Sequence, residues 1–81
     1  MNKTFNWVIE HMPPPKYEGR FYSYSYVFKE AYGFEDKKKA GRQIREDLQD
    51  YIYDLCRNYQ CAVQIGVKVQ NYRGIRIFNL K

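Results

Sequence analysis

The sequence predicts an α+β fold: a four-stranded, mainly antiparallel sheet with one long helix packed on one face, in the order β-β-α-β-β. Three observations carry this. Residues 21–28 alternate strictly between faces, residues 36–59 repeat apolar side chains at spacings of three and four, and residues 61–70 alternate again. At 81 residues the chain is expected to be one domain, with room for one helix on one sheet.

Residues 4–11 read as the first strand. Phe5, Trp7 and Ile9 share one face, and Thr4, Asn6, Val8 and Glu10 the other. Met12-Pro13-Pro14-Pro15-Lys16 stops it, because three prolines cannot donate ladder hydrogen bonds. Residues 12–20 are therefore a semi-rigid loop, with Gly19 as a further turn signal. The second strand covers 21–28 and places Tyr22, Tyr24, Tyr26 and Phe28 on one face. Residues 29–35 are ambiguous and are broken at Gly33.

The helix over 36–59 has its buried stripe at Ala40, Ile44, Leu48, Ile52, Leu55 and Tyr59, with Asp36 as N-cap. Gly41, costly in a helix interior, suits a point of close packing. In the third strand, Cys61–Gln70, residues Cys61, Val63, Ile65, Val67 and Val69 face the core, and Lys68 and Gln70 face away. A turn at Asn71-Tyr72-Arg73-Gly74 leads to a fourth strand, Ile75–Leu80.

Lys and Arg number 14 against 9 Asp and Glu, a net charge of +5, and nine residues are Tyr. The positive balance favours polyanionic partners, and an excess of Tyr suits a contact surface. Charge along the helix runs against its dipole. Lys37, Lys38, Lys39, Arg42 and Arg45 occupy the first half, and Glu46, Asp47, Asp50 and Asp54 the second. Lys38, Arg42 and Arg45 form one stripe, suited to phosphate beside the free N–H groups of a helix start. The alternative is a solvated face partly balanced by local pairs such as Arg42–Glu46.

Tyr22, Tyr24 and Tyr26, bracketed by Arg20 and Lys29, read either as a base-stacking platform or as core under the helix. Lys68, Arg73 and Arg76 add cations to the sheet face away from the helix. The twelve candidate binding residues are thus Lys37, Lys38, Lys39, Arg42, Arg45, Tyr22, Tyr24, Tyr26, Arg20, Lys68, Arg73 and Arg76.

No catalytic constellation is expected. His11 is the lone histidine, and no phosphate-cradling glycine motif or HExxH occurs. With Cys56 and Cys61 as its only cysteines, the chain lacks ligands for a zinc site. Both thiols are expected reduced and buried. No metal and no cofactor is implied, the protein is expected not to be an enzyme, and no run of ~20 apolar residues suggests a membrane span. The expected location is cytoplasmic.

The function classes consistent with this pattern are three. The first is a nucleic-acid-binding protein acting on single-stranded DNA or RNA or on a nucleic-acid backbone. The second is an inhibitor or adaptor that binds a nucleic-acid-handling protein complex, in the style of phage-encoded anti-defence and anti-CRISPR proteins, to which the chain is similar in size and composition alone. The third is a homodimer formed by pairing edge strands.

Overall fold

The computed structural model describes residues 1–81. Its elements are α1 (Lys3–Glu10), β1 (Arg20–Ser23), α2 (Tyr24–Tyr32), α3 (Lys37–Gln49), α4 (Ile52–Tyr59), β2 (Cys61–Val69) and β3 (Tyr72–Asn79). The three strands make one antiparallel sheet in the order β1-β3-β2. The class is α+β, but the sheet has three strands rather than four, and four helices replace the one long helix expected.

The first correction lies at the N-terminus. Residues 4–11 are not a strand. Asn2 caps α1, its side-chain oxygen accepting from the Phe5 N–H at 2.8 Å. The helix buries Thr4, Phe5, Trp7 and Val8, the i, i+1, i+3, i+4 set of one helical face. A two-residue period and a helical period coexist in this short aromatic run, and the polar cap together with burial against α2 and α3 decides for the helix.

The second correction falls on the tyrosine segment. Only Arg20–Ser23 is extended, and Ser23 then caps α2, accepting from the Tyr26 N–H at 3.2 Å. From there the spacing is helical: Tyr24, Val27 and Phe28 are buried and Ala31 packs against them. Tyr22, Tyr24 and Tyr26 consequently do not share a face.

The third correction divides the long helix at Asp50–Tyr51. A straight helix over 36–59 would run about 36 Å, beyond the 34 Å longest extent of the molecule. Breaking it keeps Ile44 and Leu48 against α1 and α2, while α4 turns to lay Leu55 against β2. The break also changes the charge reading, since Asp54 now lies in the first turn of α4, where the dipole favours an acid.

The loop expected over 12–20 ends at residue 19, since Arg20 opens β1, and it is anchored: Pro13 is buried, and its carbonyl accepts from Asn79 Nδ2 at 2.9 Å. The hairpin turn is Gln70–Asn71 rather than Asn71–Gly74, since Val69 already pairs with Tyr72.

β3 is the central strand. Its Ile75 and Ile77 are fully buried, level with Ile65 and Val63 of β2, and Tyr22 of β1 stands opposite Ile75. Gly74 lies where β1 crosses closest. A Cβ there would overlap the Tyr22 carbonyl oxygen and stand 2.7 Å from Ser23 Cα, so only glycine lets the two strands meet.

β2 carries a bulge between Ile65 and Val67, centred on Gly66 at φ +79°. The extra residue reverses the alternation. Val67 and Val69, expected on the core face, stand level with Gly74 and Tyr72 on the opposite face. Lys68, expected to face away, stands level with Arg73 on the helix side. Of the two thiols, both free, Cys61 is buried but Cys56 is exposed, contrary to the expectation that both are internal.

Candidate functional site: a basic cleft with an aromatic margin

The reversed register delivers Lys68 and Arg73 to the mouth of a cleft of about 560 Å³ between the start of α2, the first turns of α3 and the β2–β3 turn. Lys37, Lys38, Arg42 and Arg45 line it from α3, Lys68 and Arg73 line it from the hairpin, and no Asp or Glu does. None of the six is in an ion pair; the protein's one pair, Lys29–Glu35 at 3.4 Å, lies outside the cleft.

Local physics explains how these side chains come together. Asp36 caps α3, its carboxylate accepting from the Lys39 N–H at 3.0 Å, and the first turn that follows is Lys37-Lys38-Lys39 with no acid in it. Lys38, Arg42 and Arg45 follow at i, i+4 and i+7, so they stack along one side of α3. Like charges at this spacing cost a few tenths of a kcal/mol per pair, and cations at a helix start oppose the dipole. The arrangement lowers the stability of the protein by a small amount.

The floor of the cleft is Tyr24. Its ring packs on Gly41, where an added Cβ would lie 3.3 Å from Tyr24 Cδ2; this is the close packing that the glycine in α3 suggested. Tyr24 is 8% exposed, and its buried hydroxyl has no hydrogen-bond partner.

Beside the cleft is a shallow, mostly apolar depression of about 340 Å³ lined by Phe21, Tyr22, Ser23, Tyr26 and Tyr72. Ser23 and Tyr72 line both spaces, so the two adjoin. Tyr22 is half-buried, edge-on to Trp7 at 4.9 Å, and Tyr26 stacks parallel to it at 5.8 Å with 13° between planes. Tyr26 and Tyr72 remain 48% and 62% exposed.

Of the twelve residues singled out by sequence, seven meet at the cleft: Lys37, Lys38, Arg42, Arg45, Lys68, Arg73 and, beneath them, Tyr24. Tyr22 and Tyr26 border it in the depression. The other three lie elsewhere. Lys39 is exposed but does not line the cleft. Arg20, at the far end of β1, sits over the Tyr17 ring at 5.1 Å. Arg76, opposite Phe21 on the outer sheet face, donates to the Gly19 carbonyl at 3.3 Å.

Sequence reasoning missed Phe21, Ser23, Ser25 and Tyr72. A signal existed for Ser23: a short hydroxyl residue just ahead of apolar side chains at 24, 27 and 28 marks a helix start. His11 has a structural place, its ring stacked on Trp7 at 3.9 Å and its Nδ1–H donating to the Trp7 carbonyl at 2.7 Å. No cluster of three or more His, Cys, Asp or Glu side chains is placed to hold a metal ion, and no helix is long and apolar enough to cross a membrane. Comparison of the chain with family models, with curated proteins and with solved structures finds no match, so the functional reading rests on the cleft and its margin.

Proposed function

We propose that the protein binds nucleic acid, holding the phosphate backbone in the cleft between α2, α3 and the β2–β3 turn. One observation carries this reading: six cations from two distant segments converge with no carboxylate among them and no ion pair to neutralise them. Six facing one concavity raise the local potential, which draws in a polyanion and accelerates its capture. Phosphates are matched by both cation types here, Arg42, Arg45 and Arg73 through bidentate forks and the lysines as point charges.

Binding to fluorescently labelled oligonucleotides, followed by anisotropy across a salt series, tests the reading. Each phosphate neutralised on a single strand contributes about −0.7 to the slope of log K against log salt. Four to six engaged cations therefore give a slope of about −3 to −4, a loss of roughly two decades in affinity between about 50 and 200 mM salt. No binding at about 50 mM salt, or binding indifferent to salt, contradicts it.

A further inference from the structure

We infer that the preferred ligand is single-stranded, with one unpaired base seated in the aromatic depression while its flanking phosphates lie in the cleft. The inference rests on the nucleic-acid reading above and specifies the form of the ligand. Its first support is adjacency. A nucleotide joins a flat apolar ring system to an anion through one sugar, and here a flat-walled apolar depression joins a cationic cleft through Ser23 and Tyr72.

Its second support is size and wall chemistry. About 340 Å³ lies at the lower end of the roughly 300–1,000 Å³ found for ligand pockets, which suits one base rather than several. Phe21, Tyr22, Tyr26 and Tyr72 offer ring surfaces to it, and Ser23 is the one side chain among its lining residues without a ring. Stacking on rings tolerates any base, in keeping with a depression whose exposed surface is mostly apolar, while the Tyr22, Ser23, Tyr26 and Tyr72 hydroxyls lie at its margin.

Its third support is the exposure of the rings. Tyr26 and Tyr72 are about half or more in solvent and neither belongs to the buried core, although Tyr22 beneath them does pack against it. A duplex keeps its bases stacked and shows only their edges in the grooves, so no base face would reach this aromatic surface. Both sugar types carry the same base and phosphate chemistry, so DNA and RNA are arms of one test.

The test compares, at one salt concentration, labelled single strands of about 12 nucleotides, strands of the same length made abasic, and duplexes, each as DNA and as RNA. The full chain and its variants Tyr72→Ala and Tyr26→Ala are used, with circular dichroism to confirm folding. The single strand is expected to bind on the order of ten-fold tighter than its abasic counterpart and than the duplex. Tyr72→Ala should remove most of that preference, read as the ratio of intact-strand to abasic-strand affinity because Tyr72 also lines the cleft. Tyr26→Ala supplies the same readout from a second wall.

Equal affinity for intact and abasic strands overturns the inference, as does a preference that survives both substitutions or a duplex bound as tightly as the single strand. The nucleic-acid reading survives each of these outcomes. Binding to none of the ligands overturns both.

Discussion

Replacing Arg42 and Arg45 together by Glu is expected to lower oligonucleotide affinity about 100-fold or more at low salt while the fold is kept. Each arginine supplies a charge-assisted contact, and contacts of this type contribute about 1.5–3 kcal/mol, a factor of ten or more each. The two losses compound, and two new carboxylates repel the backbone. The slope of log K against log salt should fall by about 1.4 in magnitude, since two phosphates are no longer neutralised.

Stability should not suffer. Both side chains are exposed on α3, and the exchange turns the repulsive Lys38–Arg42 spacing into an attractive one while the Arg42–Glu46 spacing becomes repulsive, two small effects that offset each other. Acids in the first half of α3 also suit its dipole better than bases, so the melting temperature should stay level or rise slightly. Arg57→Glu is the control. Arg57 is exposed on α4 over the Tyr53 ring, outside the cleft, and its reversal should change affinity by no more than about two-fold, as expected for a solvent-screened charge outside the site. A similar loss from Arg57→Glu would reduce the cleft to a bystander of net charge.

The second large effect is expected in the buried polar cluster that ties α1, α2 and α3 together. Asp47, 8% exposed, accepts from Thr4 Oγ1 at 2.6 Å, from Gln43 Nε2 at 2.8 Å and from the Tyr32 hydroxyl, while its carbonyl accepts from Asn2 Nδ2 at 2.7 Å. Asp47→Ala orphans the fully buried Thr4 hydroxyl and removes the acceptor of the half-buried Tyr32 and Gln43 donors, and hydrogen bonds to a charged group contribute about 1.5–3 kcal/mol each. A loss of at least about 3 kcal/mol follows, a large share of the 5–15 kcal/mol typical of whole domains. At roughly 4–8 °C per kcal/mol for a chain of this size, the melting temperature should fall by more than about 12 °C.

Alkaline pH reads the same cluster. Burial, followed by the hydrogen bond to Asp47, pushes the Tyr32 phenol up from 10.0 to about 12. Its folded-state value exceeds its unfolded one, so its contribution is complete below about pH 10 and disappears as the pH rises through 12. Burial likewise pushes the Cys61 thiol up from 9.0 to about 11, which starts the decline nearer pH 9. In urea titrations, Tyr32→Phe should flatten the fall between pH 10 and 12 and leave the earlier component in place. An unchanged profile in Tyr32→Phe would contradict the role assigned to this phenol.

The parts of this fold legible in the sequence are those where one period acts alone. The apolar stripe Ala40–Ile44–Leu48 with its Asp36 cap marks α3, and the alternation from Cys61 to Ile65 marks the start of β2. Misreading arises where large apolar and aromatic side chains are dense, at 4–11 (Phe5, Trp7, Val8 and Ile9) and at 21–28, since spacings of two, three and four are then all satisfied. Asn2 and Ser23, two short polar residues with local hydrogen bonds, separate the alternatives, and both point to helices.

The site was legible by half. The cationic stripe on α3 depends only on helical spacing. The joining of Lys68 and Arg73 to that stripe depends on a single inserted residue at Gly66 that reverses the faces of β2. Strict alternation cannot anticipate such a reversal. The cations and the tyrosines adjoin because the chain passes from strand to helix at Ser23. Tyr22 and Tyr26 are turned to one side there, and Tyr24 is turned beneath the cleft.

The most direct measurement is a map of backbone amide chemical-shift changes in the isotope-labelled protein as a single-stranded oligonucleotide is added. The largest changes are predicted at Ser23–Ser25, Lys37–Arg45 and Lys68–Arg73, with little movement on α4. Changes centred on Arg76 and Phe78 of the outer sheet face, or on α4, would contradict binding in the cleft, and the absence of any change would contradict nucleic-acid binding itself.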